Sequence, residues 1–229
     1  MTWNCKQGFH KKIEHIAALA PDIAVIPECG NMATTHPTIL PTSYHWVGRN
    51  QHKGLAIYSF TNLKLVVGEE YDESIEWVVP IRATGQKQFN LLAIWAMNGP
   101  DRKNSYVGRV HRALDHYSDF ITERETIVIG DFNSSAVWDR QYRQENHSQA
   151  VQRLAEYGLI STYHAFYNEQ QGQEISPTFY LYHHQHRHYH IDYCFVPQAW
   201  LTRISRVEVG RYEDWCQYSD HCPLIVDIC

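Results

Sequence analysis

The sequence lacks the features that define several large classes of protein. Its six cysteines are scattered, and no two have the paired spacing of a metal-binding motif or of a disulfide framework. No apolar run approaches the length that crosses a membrane, and the N-terminal residues do not resemble a signal peptide. We therefore expect reduced thiols, no membrane insertion and a cytoplasmic location.

The chain also lacks the basic excess typical of proteins that bind long stretches of nucleic-acid backbone. Its formal net charge is −5, with 20 lysine and arginine residues against 25 aspartate and glutamate residues. This balance argues against tight, non-specific binding of duplex DNA. It is compatible with an acidic site, because carboxylates that bind a metal ion account for part of the negative charge.

No linker, repeat or low-complexity block interrupts the chain, so we expect a single domain over residues 1–229. Closely spaced apolar runs between residues 44 and 97 predict strands joined as antiparallel hairpins. The strongest helical pattern covers residues 106–123, residues 159–166 read as a strand, and residues 183–190 read as a surface loop. Two mainly antiparallel sheets packed face to face, with helices outside, account for this order of elements.

Short polar motifs stand where apolar runs end. An apolar strand that stops at a carboxylate delivers its charge to the rim of a sheet, where ligands and metal ions bind. Ile23–Ile26 leads into Glu28 in this way, and Thr126–Ile129 leads into Asp131. The motifs are Thr2-Trp3-Asn4-Cys5, Pro27-Glu28-Cys29, Gly130-Asp131-Phe132-Asn133-Ser134, His190-Ile191-Asp192-Tyr193 and Ser219-Asp220-His221-Cys222-Pro223. Together they predict one acidic pocket suited to metal-assisted chemistry on a phosphate.

Three of these residues are candidate metal ligands. Glu28 is the strongest, because a hard ion such as Mg²⁺ takes one or two carboxylates together with water. Asn4 would lie beside it as an oxygen ligand or as a partner of one, and Asp220 would supply a second carboxylate on the metal side.

The remaining motif residues suit the other steps of phosphodiester hydrolysis. Asp131 fits the base that orients and deprotonates water, and Asn133 offers an amide donor to the phosphate. His221 would donate to a phosphate oxygen while Asp192 holds its other ring nitrogen.

The order and spacing of Trp3-Asn4, Pro27-Glu28, Gly130-Asp131-Phe132-Asn133, Asp192-Tyr193 and Ser219-Asp220-His221-Cys222-Pro223 resemble the motif series of the endonuclease/exonuclease/phosphatase superfamily. That superfamily includes exonuclease III-like repair nucleases, deoxyribonuclease I, sphingomyelinases and inositol polyphosphate phosphatases. The resemblance implies an α+β fold, a four-layer α/β sandwich. It also implies a phosphoesterase that depends on Mg²⁺ or Mn²⁺, and it supports the roles given to the motif residues.

The chain departs from the superfamily pattern at two positions. Trp95 stands where the family often has a tyrosine or histidine that contacts the scissile phosphate, with Asn98 nearby as a substitute donor. Lys6 stands where repair nucleases usually carry aspartate or asparagine. Its positive charge would either disfavour a nearby metal ion or bind a substrate phosphate.

Four further residues are candidates for substrate binding. Arg102 would contact a phosphate chain, although a solvated helix start explains it equally well. Trp138 would stack on a base or sugar, although most tryptophans pack in the core. His188 and His190 would line the rim of the pocket, since they shortly precede Asp192. The histidine-rich run they belong to has no accompanying cysteine, which argues against a zinc site.

The leading hypothesis is therefore a divalent-metal-dependent phosphodiesterase, a nuclease acting on DNA. Two alternatives remain open. One is hydrolysis of a small phosphoester such as an inositol phosphate, a nucleotide or a phospholipid head group, which the acidic charge balance favours. The other is an inactive member of the superfamily that serves as a binding or regulatory module. The sequence predicts no protein partner.

Overall fold

The computed structural model describes residues 1–35, 38–140, 142 and 144–229. Its α-helices are α1 (Ile13–Ala17), α2 (Met32–Thr35), α3 (Val107–His116), α4 (Ser118–Thr122), α5 (His147–Glu156), α6 (Thr162–Tyr167) and α7 (Tyr212–Trp215). Short 3₁₀ turns cover Phe9–Lys11, Arg102–Asn104, Ala136–Trp138, Leu181–His183 and Gln198–Arg203.

The strands are β1 (Ile23–Cys29), β2 (Ser43–Asn50), β3 (Lys53–Ser59), β4 (Lys64–Val67), β5 (Val78–Thr84), β6 (Phe89–Trp95), β7 (Thr126–Asp131), β8 (Leu159–Ser161), β9 (Phe179–Tyr180), β10 (His188–Tyr189), β11 (Asp192–Pro197), β12 (Ile204–Val209) and β13 (Leu224–Ile228).

The first sheet is built around the N-terminal residues. Strands β1, β3 and β2 pair antiparallel in that spatial order, and β12 pairs antiparallel with β13. Thr2 bridges the two sets, because it pairs with Val25 on one side and with Leu224 on the other. The chain end that carries Asn4 is thereby fixed between β1 and β13.

The second sheet has the strand order β4-β5-β6-β7-β11-β8. Only the β6–β7 pair is parallel among the pairs of this sheet in the described residues; the others are antiparallel. The parallel pair needs a crossover, and α3 and α4 supply it. The hairpins predicted between residues 44 and 97 are confirmed for β2–β3, β4–β5 and β5–β6.

Three apolar layers hold the two sheets and the helices together. Val25 and Ile57 of the first sheet meet Leu91 and Ile129 of the second sheet in the central layer. The outer face of the second sheet packs against α3, α4 and α5, and the outer face of the first sheet packs against Phe9 and the residues of α1. The chain is thus a four-layer sandwich of two mainly antiparallel sheets flanked by helices, which confirms the predicted fold class.

Two local predictions were wrong. The single helix predicted over residues 106–123 is divided at Tyr117, whose φ of −96° and ψ of 19° leave the helical region. The segment predicted as a strand over residues 159–166 pairs only as far as Ser161 and then turns into α6. The buried Tyr163 of α6 packs in the central layer, so tertiary burial decides its conformation. Within the predicted loop 183–190, residues 188 and 189 form β10.

A search of the described residues found no helix with the length and apolar character needed to cross a membrane.

Candidate active site

Strand pairing in the second sheet brings two aspartates side by side. Asp131 ends β7 and Asp192 begins β11, and the two are direct partners in the antiparallel ladder. Side chains of directly opposed residues on one face lie about 5 Å apart. His221 joins them, so that ligand atoms of all three residues lie within 4.8 Å of one another. All three side chains are buried.

Asp131 accepts hydrogen bonds on both carboxylate oxygens. Its Oδ1 accepts from the backbone N–H of Asn133 at 2.8 Å. Its Oδ2 accepts from the amide nitrogens of Asn133 and Asn4, each at 3.0 Å. Burial, and then the charge of Asp192, raise the pKa of Asp131 to about 7. A carboxylate with a pKa near neutrality is suited to accept a proton from water.

His221 is held by Asp192. The Nδ1–H of the ring donates to Asp192 Oδ2 at 2.8 Å. Burial alone would lower the pKa of His221, but the charge of Asp192 and this hydrogen bond outweigh it and raise the pKa to about 9. The ring is therefore a cation at neutral pH, and its Nε2–H has no hydrogen-bond partner among the described residues. It is a charged donor available to an anion.

Asn4 is fixed by the first sheet and by the motif that carries His221. The backbone N–H of Cys5 donates to the carbonyl of Pro27 at 3.1 Å, which places Asn4 beside the end of β1. Ser219 Oγ donates to the carbonyl of Asn4 at 2.7 Å. Because its amide nitrogen donates to Asp131, the carbonyl oxygen of the Asn4 side chain points the other way. There it accepts from the backbone N–H of Lys6 at 3.1 Å.

Glu28 stands at an irregularity in β1. The register between β1 and β3 shifts between Pro27 and Cys29, and Glu28 has a φ of 59°. Such a bulge re-aims a side chain at the rim of a sheet. The Glu28 carboxylate lies 3.2 Å from the ammonium of Lys53, and 21% of its side chain is exposed.

Asp220 is paired with Lys6. The ammonium of Lys6 lies 2.9 Å from Asp220 Oδ2 and 2.8 Å from Nε2 of His183. The side chain of Asp220 is 20% exposed and that of Lys6 is 44% exposed. The predicted second carboxylate of the metal side is thus neutralised by a residue of the chain itself.

Two donor sets of the site are candidates for a divalent metal ion. The buried group of Asp131, Asp192 and His221 has the necessary proximity. However, a protonated imidazole cannot ligate a metal, so His221 does not contribute to this group as a ligand. Glu28 and Asn4 offer a partly exposed carboxylate and an amide carbonyl, which are the oxygen ligands that Mg²⁺ and Mn²⁺ prefer. The donor chemistry of Glu28 and Asn4 therefore fits a hard divalent ion.

Part of the strained backbone lies in the same region. Residues other than glycine rarely have positive φ, and such residues cluster at functional sites. Among the described residues eleven other than glycine have positive φ, and four of them, Lys6, Glu28, Asn133 and His183, are site residues or their immediate partners.

Besides Lys6, four of the candidate substrate residues are exposed. Trp138 is 42% exposed and packs against Tyr189 with the two rings tilted, their centroids 4.6 Å apart. Asn98 accepts from the backbone of Gly99. Arg102 donates to the carbonyl of Gln144, and His188 is paired with the carbonyl of Gln185. These residues are accessible, and their roles remain predictions.

Two candidates, Trp95 and His190, are buried, so the prediction that they contact substrate directly conflicts with their position. Trp95 is 1% exposed, lies in the central apolar layer and packs against Trp77. Its ring instead supports the Lys53 ammonium, which lies 5.3 Å from the ring centroid. His190 is 2% exposed, and its Nδ1 is paired with the carbonyl of Ser176.

Lys53 and His183 are site residues that sequence reasoning missed. Lys53 reaches Glu28 because Cys29 pairs with Gly54, the residue after Lys53, across the β1–β3 ladder. His183 reaches Lys6 although the two are 177 positions apart in sequence. Neither contact has a local signal, since both depend on long-range pairing. The histidine-rich run was the available hint for His183.

Two stacked sheets with helices on both outer faces, and strand-end carboxylates gathered at one rim, form a fold that this chain shares with solved structures. A 3′-5′ exonuclease (NExo) from Neisseria meningitidis is 20% identical, with a TM-score of 0.72 over 99% of this chain and 98% of that chain. An AP endonuclease from Archaeoglobus fulgidus is 17% identical, with a TM-score of 0.69 over 99% of this chain and 97% of that chain.

A further similar structure is a 3′ phosphatase NExo from Neisseria bound to product DNA hairpin. It is 19% identical, with a TM-score of 0.72 over 100% of this chain and 98% of that chain. No protein-family model and no curated protein matches the sequence. At these identities the likeness establishes the fold.

Proposed function

We propose that the chain is a divalent-metal-dependent phosphodiesterase, a nuclease that acts on DNA by in-line attack of a metal-assisted water. The observation that carries the proposal is the pairing of a buried carboxylate, Asp131, with a charged imidazole, His221, that a second carboxylate holds. The fold supports it, because structures of the same fold are named as an exonuclease, a 3′ phosphatase and an AP endonuclease.

Asp131 is the proposed base. Its hydrogen bonds from Asn4 and Asn133 fix both oxygens, so the carboxylate is oriented before water arrives. Its raised pKa, about 7, makes it able to hold the proton that the attacking water loses.

His221 and Asn133 are the proposed donors to the phosphate. His221 presents a charged Nε2–H, and its orientation is set by Asp192. Asn133 uses one N–H of its amide on Asp131 and retains a second for a phosphate oxygen. Donors fixed in advance stabilise the negative charge that develops on the phosphate during attack.

Glu28 and Asn4 are the proposed ligands of the divalent ion. When bound, Mg²⁺ or Mn²⁺ supplies positive charge to the phosphate oxygens. Lys53 pairs with Glu28, and in the same position its ammonium also contacts the ring of Trp95.

DNA is the proposed substrate class. Trp138 offers an exposed aromatic face backed by Tyr189, and bases stack on such faces irrespective of sequence. Phe179 packs against the His221 ring, with 4.7 Å between the ring centroids, so a second aromatic side chain lies next to the proposed phosphate donor.

The test is turnover by the purified chain with Mg²⁺, Mn²⁺ or EDTA on duplex DNA containing an abasic site, single-stranded DNA, RNA and inositol phosphates. We expect metal-dependent cleavage of DNA that is lost in Glu28→Gln and retained in the exposed control Glu73→Gln. Cleavage of inositol phosphates alone would replace DNA with a small phosphoester. No turnover on any substrate, without metal binding, would indicate a binding module instead.

A further inference from the structure

The Lys6 ammonium has a site of its own beside the catalytic group. Asp220 Oδ2 accepts from it at 2.9 Å and His183 Nε2 lies 2.8 Å away. A lysine ammonium has three N–H donors and no acceptor, so both partners must offer lone pairs. Asp220 does so as a carboxylate.

A second contact sets the tautomer of His183. Its Nδ1 lies 2.9 Å from the backbone carbonyl of Cys216, and a carbonyl can only accept. Nδ1 therefore carries the hydrogen, and Nε2 of the neutral ring is an acceptor for Lys6. The ring is also held from its backbone side, because Tyr212 Oη donates to the carbonyl of His183 at 2.7 Å. The two acceptors are thus fixed around a cation.

The backbone of Lys6 connects this cation to the proposed catalytic group, Asp131, Asp192 and His221. Its N–H donates to the side-chain carbonyl of Asn4, whose amide donates to Asp131. Lys6 has a φ of 48°, an uncommon conformation for a residue other than glycine. The side chain therefore leaves the Asn4 segment in a direction that the local fold imposes.

A divalent ion bound by Asp220 would have to lie within a few ångströms of this ammonium. Its repulsion from Lys6 would be twice that between two unit charges at the same separation. The ion would also have to displace Lys6 from both acceptors. Lys53 also pairs with Glu28, at 3.2 Å, but Glu28 is the one acceptor that this ammonium contacts among the described residues, whereas Lys6 is held by two acceptors.

We propose that Lys6 occupies, as a fixed ammonium ion, the place at Asp220 where a second divalent ion would bind, so that the site holds a single divalent ion, at Glu28 and Asn4. This inference rests on the proposed function, since it concerns the ions of that same site. It reassigns Asp220 from a metal ligand to the counter-ion of Lys6.

Metal stoichiometry tests the inference without any measurement of activity. Mn²⁺ would be titrated into the full chain by calorimetry, and free Mn²⁺ followed by electron paramagnetic resonance. We expect one equivalent of Mn²⁺ for the wild type and for Lys64→Met, a control at an exposed lysine of β4. We expect two for Lys6→Met, which frees Asp220 and His183, and one again for the double variant Lys6→Met with Asp220→Asn.

Lys6→Asp is a second variant that offers an added carboxylate and should also bind two equivalents. Circular dichroism and thermal melting would show that each variant is folded. Two equivalents bound by the wild type, or one bound by both folded Lys6 variants, would overturn this inference and leave the proposed function standing. No Mn²⁺ bound by the wild type would overturn the metal dependence in the proposed function and this inference with it.

Discussion

Replacing Asp192 with asparagine removes the charge that keeps His221 protonated. The two side chains are buried and joined by a hydrogen bond of 2.8 Å. The pKa of His221 is raised from its ordinary value of 6.5 to about 9, although burial acts in the opposite direction. One pKa unit corresponds to about 1.4 kcal/mol, so the surroundings favour the charged ring by about 3 kcal/mol.

In Asp192→Asn burial is no longer offset, and we expect the pKa of His221 to fall towards or below its ordinary value. The charged ring exists only below its pKa, so the alkaline limb of the kcat profile should move to lower pH. At pH 8 we expect turnover to fall by about 10²- to 10³-fold, the usual cost of losing one charged donor to the transition state. Binding of Mn²⁺ should be unchanged, because Asp192 is not a proposed ligand.

The assay is kcat on DNA from pH 5.5 to pH 10, with nuclear magnetic resonance titration of the histidine rings as an independent readout. The control is Asp119→Asn, which removes an exposed carboxylate from α4. An unchanged alkaline limb together with a His221 ring that stays charged at pH 8 would refute the reasoning that Asp192 maintains the proton.

Three other perturbations test separate parts of the structure. Gly130→Ala should lower the free energy of unfolding by about 3 kcal/mol or more, because a Cβ there would lie 1.9 Å from a carbonyl oxygen of β6. Thermal denaturation measures this change. The control is Gly158→Ala, which should cost only about 1 kcal/mol because a Cβ there would have no atom within 4 Å. Asp131→Asn should reduce turnover by about 10²- to 10⁴-fold with Mn²⁺ binding retained; a variant with full activity would remove the proposed base. The free energy of unfolding, measured with urea, should decrease on acidification in two steps. Burial lowers the pKa of His147 to about 4. Its contribution to stability is therefore lost between pH 6.5 and about pH 4, because the unfolded chain takes up the proton first. The pKa of Glu174 is lowered to about 2 because its hydrogen bonds outweigh burial, so its share is lost from pH 4.5 to about 2; a flat stability between pH 7 and pH 3 would contradict both.

The sequence was informative wherever a short motif coincides with the end of an apolar strand. Asp131 and Asp192 were singled out from such patterns, and the β7–β11 register places them opposite each other. The pairing of Asp192 with His221 was also predicted, from the rule that a buried carboxylate needs a partner. These contacts follow from local patterns together with the four-layer sandwich that the resemblance implied.

The parts that could not be predicted depend on contacts between distant segments. Lys53 contacts Glu28 because β1 pairs with β3. Other elements separate these two strands in sequence, so no hairpin turn predicts their pairing. His183 approaches Lys6 through a loop whose histidines looked equivalent in sequence. Trp95 was a substrate candidate because it stands where the superfamily often has a tyrosine or histidine, yet its side chain lies in the central apolar layer. A sequence shows where a strand ends, whereas it does not show on which face of the sheet a side chain lies or which distant residue it contacts.

The stereochemical course of cleavage tests the central claim most directly. The substrate is a DNA oligonucleotide with a phosphorothioate of single configuration at the cleaved position, hydrolysed in ¹⁸O-labelled water with Mn²⁺. Direct attack of one water in line with the leaving oxygen inverts the configuration at phosphorus, and inversion is the predicted result. Retention would contradict the account, because it requires an intermediate bound to a side chain such as His221 in place of a water that Asp131 activates.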